Sequence, residues 1–249
     1  MLKFFPDKTK VIFLDLEYFV PEQDRKRQST SGMMFNPSLP GHKVLGGVFM
    51  TYYPMLDKCD KPFSVWEWEC QCEQQVMVKL FQYLEKHWKG IEFKEQMGSL
   101  MLSGIGISHS DIPSLNAKMN EHQVGSPERI FDVLYGCRQI DLSVAAFCQF
   151  SSKKHKYFTY TKTKSDLYQK YLEGKRMESG TSVWDLYDAG KYAEIEARTQ
   201  EEVADSFAIY KSMSDLKRSH SNKLERLAKI DRDRLNQLDE GATQEIITL

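Results

Sequence analysis

Hydrophobic positions in the first hundred residues follow two rhythms. Val11 to Leu16 (VIFLDL) is a short β-branched and apolar run behind a Lys/Asp/Pro turn, the pattern of a buried strand. Val44 to Tyr53 forms a second such run, and Phe63 to Cys70 (FSVWEWEC) alternates as a third. No helix fits between them, so they predict an antiparallel meander. From Glu73 the apolar positions Val76, Leu80, Phe81, Leu84 and Trp88 fall three and four apart, which predicts an amphipathic helix ending near Gly90. Ser99 to Ile107 returns to a buried strand. A helix is expected from Ile112 or Pro113, because proline is tolerated in a first turn.

Further on, Gly125 to Val133 reads as a turn and a short extended stretch (RIFDV), and Ile140 to Phe147 as helical. Three helices are expected at Ser165 to Leu172, Thr181 to Ala189 and Tyr192 to Met213, the last with Ile195, Val203, Phe207 and Tyr210 on its apolar face. Residues 22–43 mix charge, Ser, Gly and Pro and read as a long loop. Beyond Lys211, Met213, Leu216, Leu224, Leu227, Leu235 and Leu238 recur with an eleven-residue period, the pattern of one long helix with a narrow apolar stripe. That stripe buries against the parent domain, a second copy or a protein partner, or else belongs to a fraying, solvated helix. The expected organisation is an α/β domain over residues 1–212, a mixed sheet flanked by helices, with a long C-terminal helical extension over 213–249.

Composition narrows the function. Of 249 residues, 41% are hydrophobic, enough for a sizeable core. A formal charge of −1, from 34 Lys and Arg against 35 Asp and Glu, excludes a strongly basic nucleic-acid coat protein and an acidic disordered tail. Any polyanion must meet a local basic patch. No apolar run reaches the roughly 18 residues of a membrane span, and Lys3, Pro6, Asp7 and Lys8 interrupt the start before a signal-peptide core forms. A cytoplasmic protein without a membrane partner is expected. Five cysteines, an odd number without two close pairs, read as reduced and mostly buried thiols.

Candidate chemistry centres on acids. Asp15 and Glu17 flank one residue near the end of the most apolar strand and point to the same side, where they can share a cation. Charges there are costly unless paired or metal-bound. Asp111 stands where a helix begins, a position open to a cap or a ligand. Glu201, Glu202 and Asp205 share a helix with Arg198, and Arg198 and Glu202 are spaced for an intrahelical ion pair. The run KKHKYFTYTKTK supplies Lys153, Lys154, Lys156, Lys162 and Lys164 with Tyr157, Phe158 and Tyr160, cations and rings of the kind single strands require; it also reads as a basic surface ribbon with inward-packed aromatics.

The order of these acids resembles the DEDD superfamily of 3′→5′ exonucleases, in particular predicted exonucleases related to the exonuclease domain of family B DNA polymerases. Asp15 and Glu17 match the first motif, DxE after an apolar strand. Asp111 matches the second, small residues followed by Asp, an aliphatic, Pro and Leu. Segments like DVLYGCRQIDL (132–142) and SVWDLYDAGKYAEI (182–195) follow in the family's order, so the likeness extends from about Lys10 to Tyr210. In the third motif Val203 fixes the register. Glu202 then replaces the family's Asp, Arg198 stands at the Tyr position, and Ala197 at the His position of a sister group.

The resemblance implies a ribonuclease H-like fold and a metal-dependent exonuclease of single-stranded DNA or RNA ends. Asp15, Glu17, Asp111 and Glu202 would hold two divalent cations, Mg²⁺ or Mn²⁺, for in-line attack at phosphorus. Arg198, Lys153, Lys154, Lys156 and Tyr157 would contact the strand. Arg198 can touch the scissile phosphate or fill a cation position. In the second case the chain is a degenerate exonuclease-fold module that binds nucleic acid or a protein partner without cutting. His109, two residues before Asp111, is a substitute base or a solvated loop imidazole.

Overall fold

The computed structural model describes residues 5–27, 33–89, 99–150, 163–175 and 180–215. The chain divides into two compact units, Met1–Ile209 and Tyr210–Leu249. In the second, residues 210–215 are described and are helical. The leucines of the eleven-residue stripe lie outside the described residues, as do Lys153, Lys154, Lys156 and Tyr157. No helix among the described residues is long and apolar enough to cross a membrane.

Six strands form one mixed sheet: β1 (Lys10–Phe19), β2 (Lys43–Tyr53), β3 (Lys58–Cys59), β4 (Phe63–Trp66), β5 (Leu100–Gly104) and β6 (Arg138–Asp141). Their order is β3-β2-β1-β5-β6, with β4 paired to the same strand, β2, as β3. β1 runs antiparallel to β2 and parallel to β5, which is parallel to β6. The helices are α1 (Glu67–Cys70), α2 (Glu73–Lys89), α3 (Asp111–Glu121), α4 (Pro127–Tyr135), α5 (Leu142–Ala145), α6 (Lys164–Tyr171), α7 (Ser182–Asp188) and α8, residues 192–209 within the first unit.

Alternation along β1 sorts the helices onto two faces. Leu14 pairs with Phe49, and Tyr83 of α2 packs its ring on Phe49 and bonds the hydroxyl of Thr51, so α2 covers this face. Phe13 points the other way and meets Phe207 of α8 edge-on, centroids 5.4 Å apart. Asp15 and Glu17 follow Phe13 on the α8 face. β1 outruns its parallel neighbour, pairing with β5 only over Lys10–Phe13 while pairing with β2 as far as Phe19. The acid-bearing half of β1 therefore has one edge beyond the β5 ladder.

Four expectations are corrected. The third strand stops at Trp66 and turns into α1, because beyond the Gly46–Trp66 pair the next free amide of β2, Val44 N–H, donates to the carboxylate of Glu73 at 2.6 Å. RIFDV lies inside α4: Ser126 accepts a hydrogen bond from Arg129 N–H, and Pro127 opens the first turn. Ile140 to Phe147 is not one helix, since Arg138–Asp141 pairs with β5 and Asp141 then caps the short α5 by accepting from Ser143 N–H. The described cysteines are less buried than expected: Cys59 and Cys70 are half-buried and Cys72 is exposed, while Cys137 is buried, its thiol pushed up to about 12 by that burial.

Candidate functional site

Asp15 and Glu17 from β1 meet Glu202 from α8, and their carboxylate oxygens lie within 4.8 Å of one another. Asp15 is half-buried, while the Glu17 and Glu202 side chains are 7% and 8% exposed. Asp111, the first residue of α3, is buried against the same strand. Its Oδ1 accepts the N–H of Leu16, the residue between the two β1 acids, at 3.1 Å, and Ser110 Oγ donates to its Oδ2. The structure thus brings all four predicted acids to the protruding half of β1, three as a tight group and Asp111 on its backbone.

Two cations enter the group. Lys164, the first residue of α6, donates its ammonium to Glu202 Oε2 and lies 3.9 Å from Asp15 Oδ1. A reciprocal cap holds the start of that helix: Thr163 Oγ1 accepts from Asp166 N–H, and the Asp166 carboxylate accepts from Thr163 N–H. Arg198, one helical turn before Glu202, donates Nε and Nη2 to Glu202 Oε1 at 3.1 and 3.0 Å. Its Nη1, buried without a hydrogen-bond partner, is 3.9 Å from Glu17 Oε1. Thr199 Oγ1 lies 3.1 Å from Glu17 Oε1 as donor and 2.8 Å from Ile195 O.

Burial and mutual repulsion set the proton affinities. Burial raises Asp15 well above the usual carboxylate range, with Lys164 opposing and Glu202, Glu17 and Asp111 reinforcing it. Glu17 is pushed up to about 7 by burial against the pull of Arg198. Asp111 is raised by burial, opposed by Ser110 and the Leu16 amide. Glu202 is buried too, but Lys164 and Arg198 hold it below its ordinary value.

A cleft of about 310 Å³ opens onto this group. Its charged floor is Asp15, Glu17, Lys164, Arg198 and Glu202, and its apolar wall includes Met34, Phe35 and Trp184. Phe35 stacks on Tyr18, centroids 4.3 Å apart, and Trp184 Nε1 donates to Tyr18 O. His109 stands apart: its imidazole is 64% exposed and faces Asp141, 3.9 Å away. Arg25 and Arg27 of the long loop are engaged elsewhere, Arg25 with Asp185 and Asp188 of α7 and Arg27 with Met34 O.

Sequence reasoning missed Lys164 as a site residue, having set it in the basic strand-contacting run. It also missed Thr199 and the Met34–Phe35 wall. Thr199 was within reach, because Ile195, Thr199 and Glu202 share one face of a helix by their spacing. Nothing local to Lys164 points its side chain at a carboxylate 38 residues away.

No protein-family model matches the sequence, and a comparison with curated proteins finds no match. The chemistry is therefore read from the geometry.

Proposed function

We propose that the chain is a ribonuclease H-like, metal-dependent 3′→5′ exonuclease of the DEDD type, acting on single-stranded DNA or RNA ends. The observation that carries this reading is the convergence of Asp15, Glu17, Asp111 and Glu202, from a central strand, a helix start and a late helix, beside one cleft. The donor set fits the implied ions: oxygen-only carboxylates, mutually within 4.8 Å, suit Mg²⁺ or Mn²⁺. The mixed sheet with its acid-bearing strand at the centre supports the fold assignment.

Asp15, Glu17 and Glu202 would hold the metal, and Asp111 fixes the β1 backbone between the first two. When bound, a divalent cation supplies Lewis acidity toward the phosphoryl group and acidifies water. Thr199 and Arg198 keep the Glu17 carboxylate turned into the cleft. Met34, backed by the buried Phe35 and Trp184, gives the cleft an apolar side against which a terminal base would lie. In the net reaction water adds to phosphorus and the P–O3′ bond breaks. The shortened strand keeps the 3′ hydroxyl, and the released nucleotide keeps the phosphate.

Lys164 and Arg198 on Glu202 favour a second reading, a module that binds nucleic acid without cutting it. One experiment separates them: 5′-labelled single-stranded DNA and RNA are incubated with Mn²⁺ or Mg²⁺, beside a chelator control and Asp15→Ala protein. The exonuclease gives a ladder shortening from the 3′ end that vanishes in both controls. Intact strands that the wild-type protein still retards in a gel establish the binding module instead.

A further inference from the structure

We infer that Lys164 and Arg198 together stand in for one of the two divalent cations, so that the acid group takes a single divalent ion. This inference rests on the metal-dependent reading above and departs from the two-ion site that the resemblance implies.

The argument begins with contacts. Both oxygens of Glu202 accept from side-chain cations, Oε1 from Arg198 and Oε2 from Lys164. The same two side chains approach the other members of the tight group, Lys164 Nζ at 3.9 Å from Asp15 Oδ1 and Arg198 Nη1 at 3.9 Å from Glu17 Oε1. Every carboxylate of the trio therefore faces a positive charge already covalently attached to the protein.

Charge then counts the ions. Fully ionised, Asp15, Glu17 and Glu202 with the adjoining Asp111 bring four negative charges, which two divalent ions would neutralise. Lys164 and Arg198 supply two positive charges, the charge of one such ion, and leave room for one more. A second divalent ion would have to sit a few ångströms from an ammonium and a guanidinium, where like charges repel strongly at reduced dielectric.

Anchoring makes these cations permanent parts of the site. Lys164 opens α6 directly after its reciprocal cap, so its backbone is fixed beside the acids. Arg198 is bound through two nitrogens to a residue one turn along its own helix. Their side chains are 23% and 11% exposed.

The test is a Mn²⁺ titration of the full chain, stripped of metal by chelation, with free Mn²⁺ read from its paramagnetic resonance signal. Wild-type protein is expected to bind one Mn²⁺ per chain. Lys164→Met, which removes the charge and keeps the length, should bind that ion at least about tenfold more tightly. The double variant Lys164→Met/Arg198→Met should take a second ion, while Lys164→Arg should match wild type. Two ions on the wild-type chain, or unchanged affinity in a folded Lys164→Met protein, overturns the inference and leaves the metal-dependent reading standing. No Mn²⁺ on either wild-type or Lys164→Met protein overturns the metal-dependent reading as well. Should the variants fail to fold by circular dichroism, the wild-type stoichiometry alone decides.

Discussion

Glu17 is a carboxylate nearly sealed from water, and its charge depends on the few groups that touch it. Its folded-state value near 7 exceeds the ordinary 4.5, so the folded chain keeps this proton to higher pH than the unfolded chain does. Stability from this group is full at low pH and is lost as pH rises toward 7. The hydrogen bond from Thr199 acts on the ionised form. In chelated protein Thr199→Val should cost about 1–2 kcal/mol at pH 8 and distinctly less at pH 5, which urea unfolding at both pH values measures. His87 works in the opposite sense. Burial first, then Lys10 and Lys86, pushes its imidazole from 6.5 down to about 4, so the unfolded chain takes up a proton that the folded chain refuses. Stability falls as pH drops from about 6.5 to about 4, and His87→Gln should flatten that limb of a Tm-against-pH curve.

At the scale of elements, the parts legible in the sequence are those whose pattern is long and unshared. β1 and β5 are apolar runs, and α2 places Val76, Met77, Leu80, Phe81, Leu84 and Trp88 on one buried face; the expected spans agree with the structure to within a few residues. Short elements were decided by single hydrogen bonds that periodicity does not reveal. α4 looked extended because Ile130, Phe131 and Val133 are β-formers, yet the serine-proline start outweighs them. Ser126→Ala should therefore lower stability by about 1 kcal/mol, read by chemical denaturation. Gly46 is the stricter case. It holds φ +148° where β2 crosses the acid-bearing end of β1, and a Cβ there would lie 2.1 Å from Val65 O. Gly46→Ala should cost at least about 2 kcal/mol, seen as a lowered Tm or lost soluble yield. For the site, the four acids were legible by order and spacing. Their two cations were not, because Lys164 reaches them through the packing of α6.

Across the whole molecule, a formal charge of −1 conceals a concentration of buried acid in one place. A ligand that binds only the folded arrangement of those acids stabilises the chain by mass action. At Mn²⁺ about a hundred times above its dissociation constant the gain is about 2.7 kcal/mol. That raises Tm by about 5–10 °C for a chain of this length, and differential scanning fluorimetry with Mn²⁺ and with chelator measures it. The bond between Asp111 and the Leu16 amide has a practical consequence for the choice of a control protein. Where β1 outruns β5, this carboxylate is the acceptor that the strand's own amide would otherwise lack. Asp111→Ala strips away both a charge and a backbone partner, so a silent assay with that protein reports damaged architecture and lost chemistry together. Asp111→Asn keeps an oxygen for Leu16, giving up the charge and the oxygen that accepts from the Ser110 hydroxyl, which makes it the gentler control.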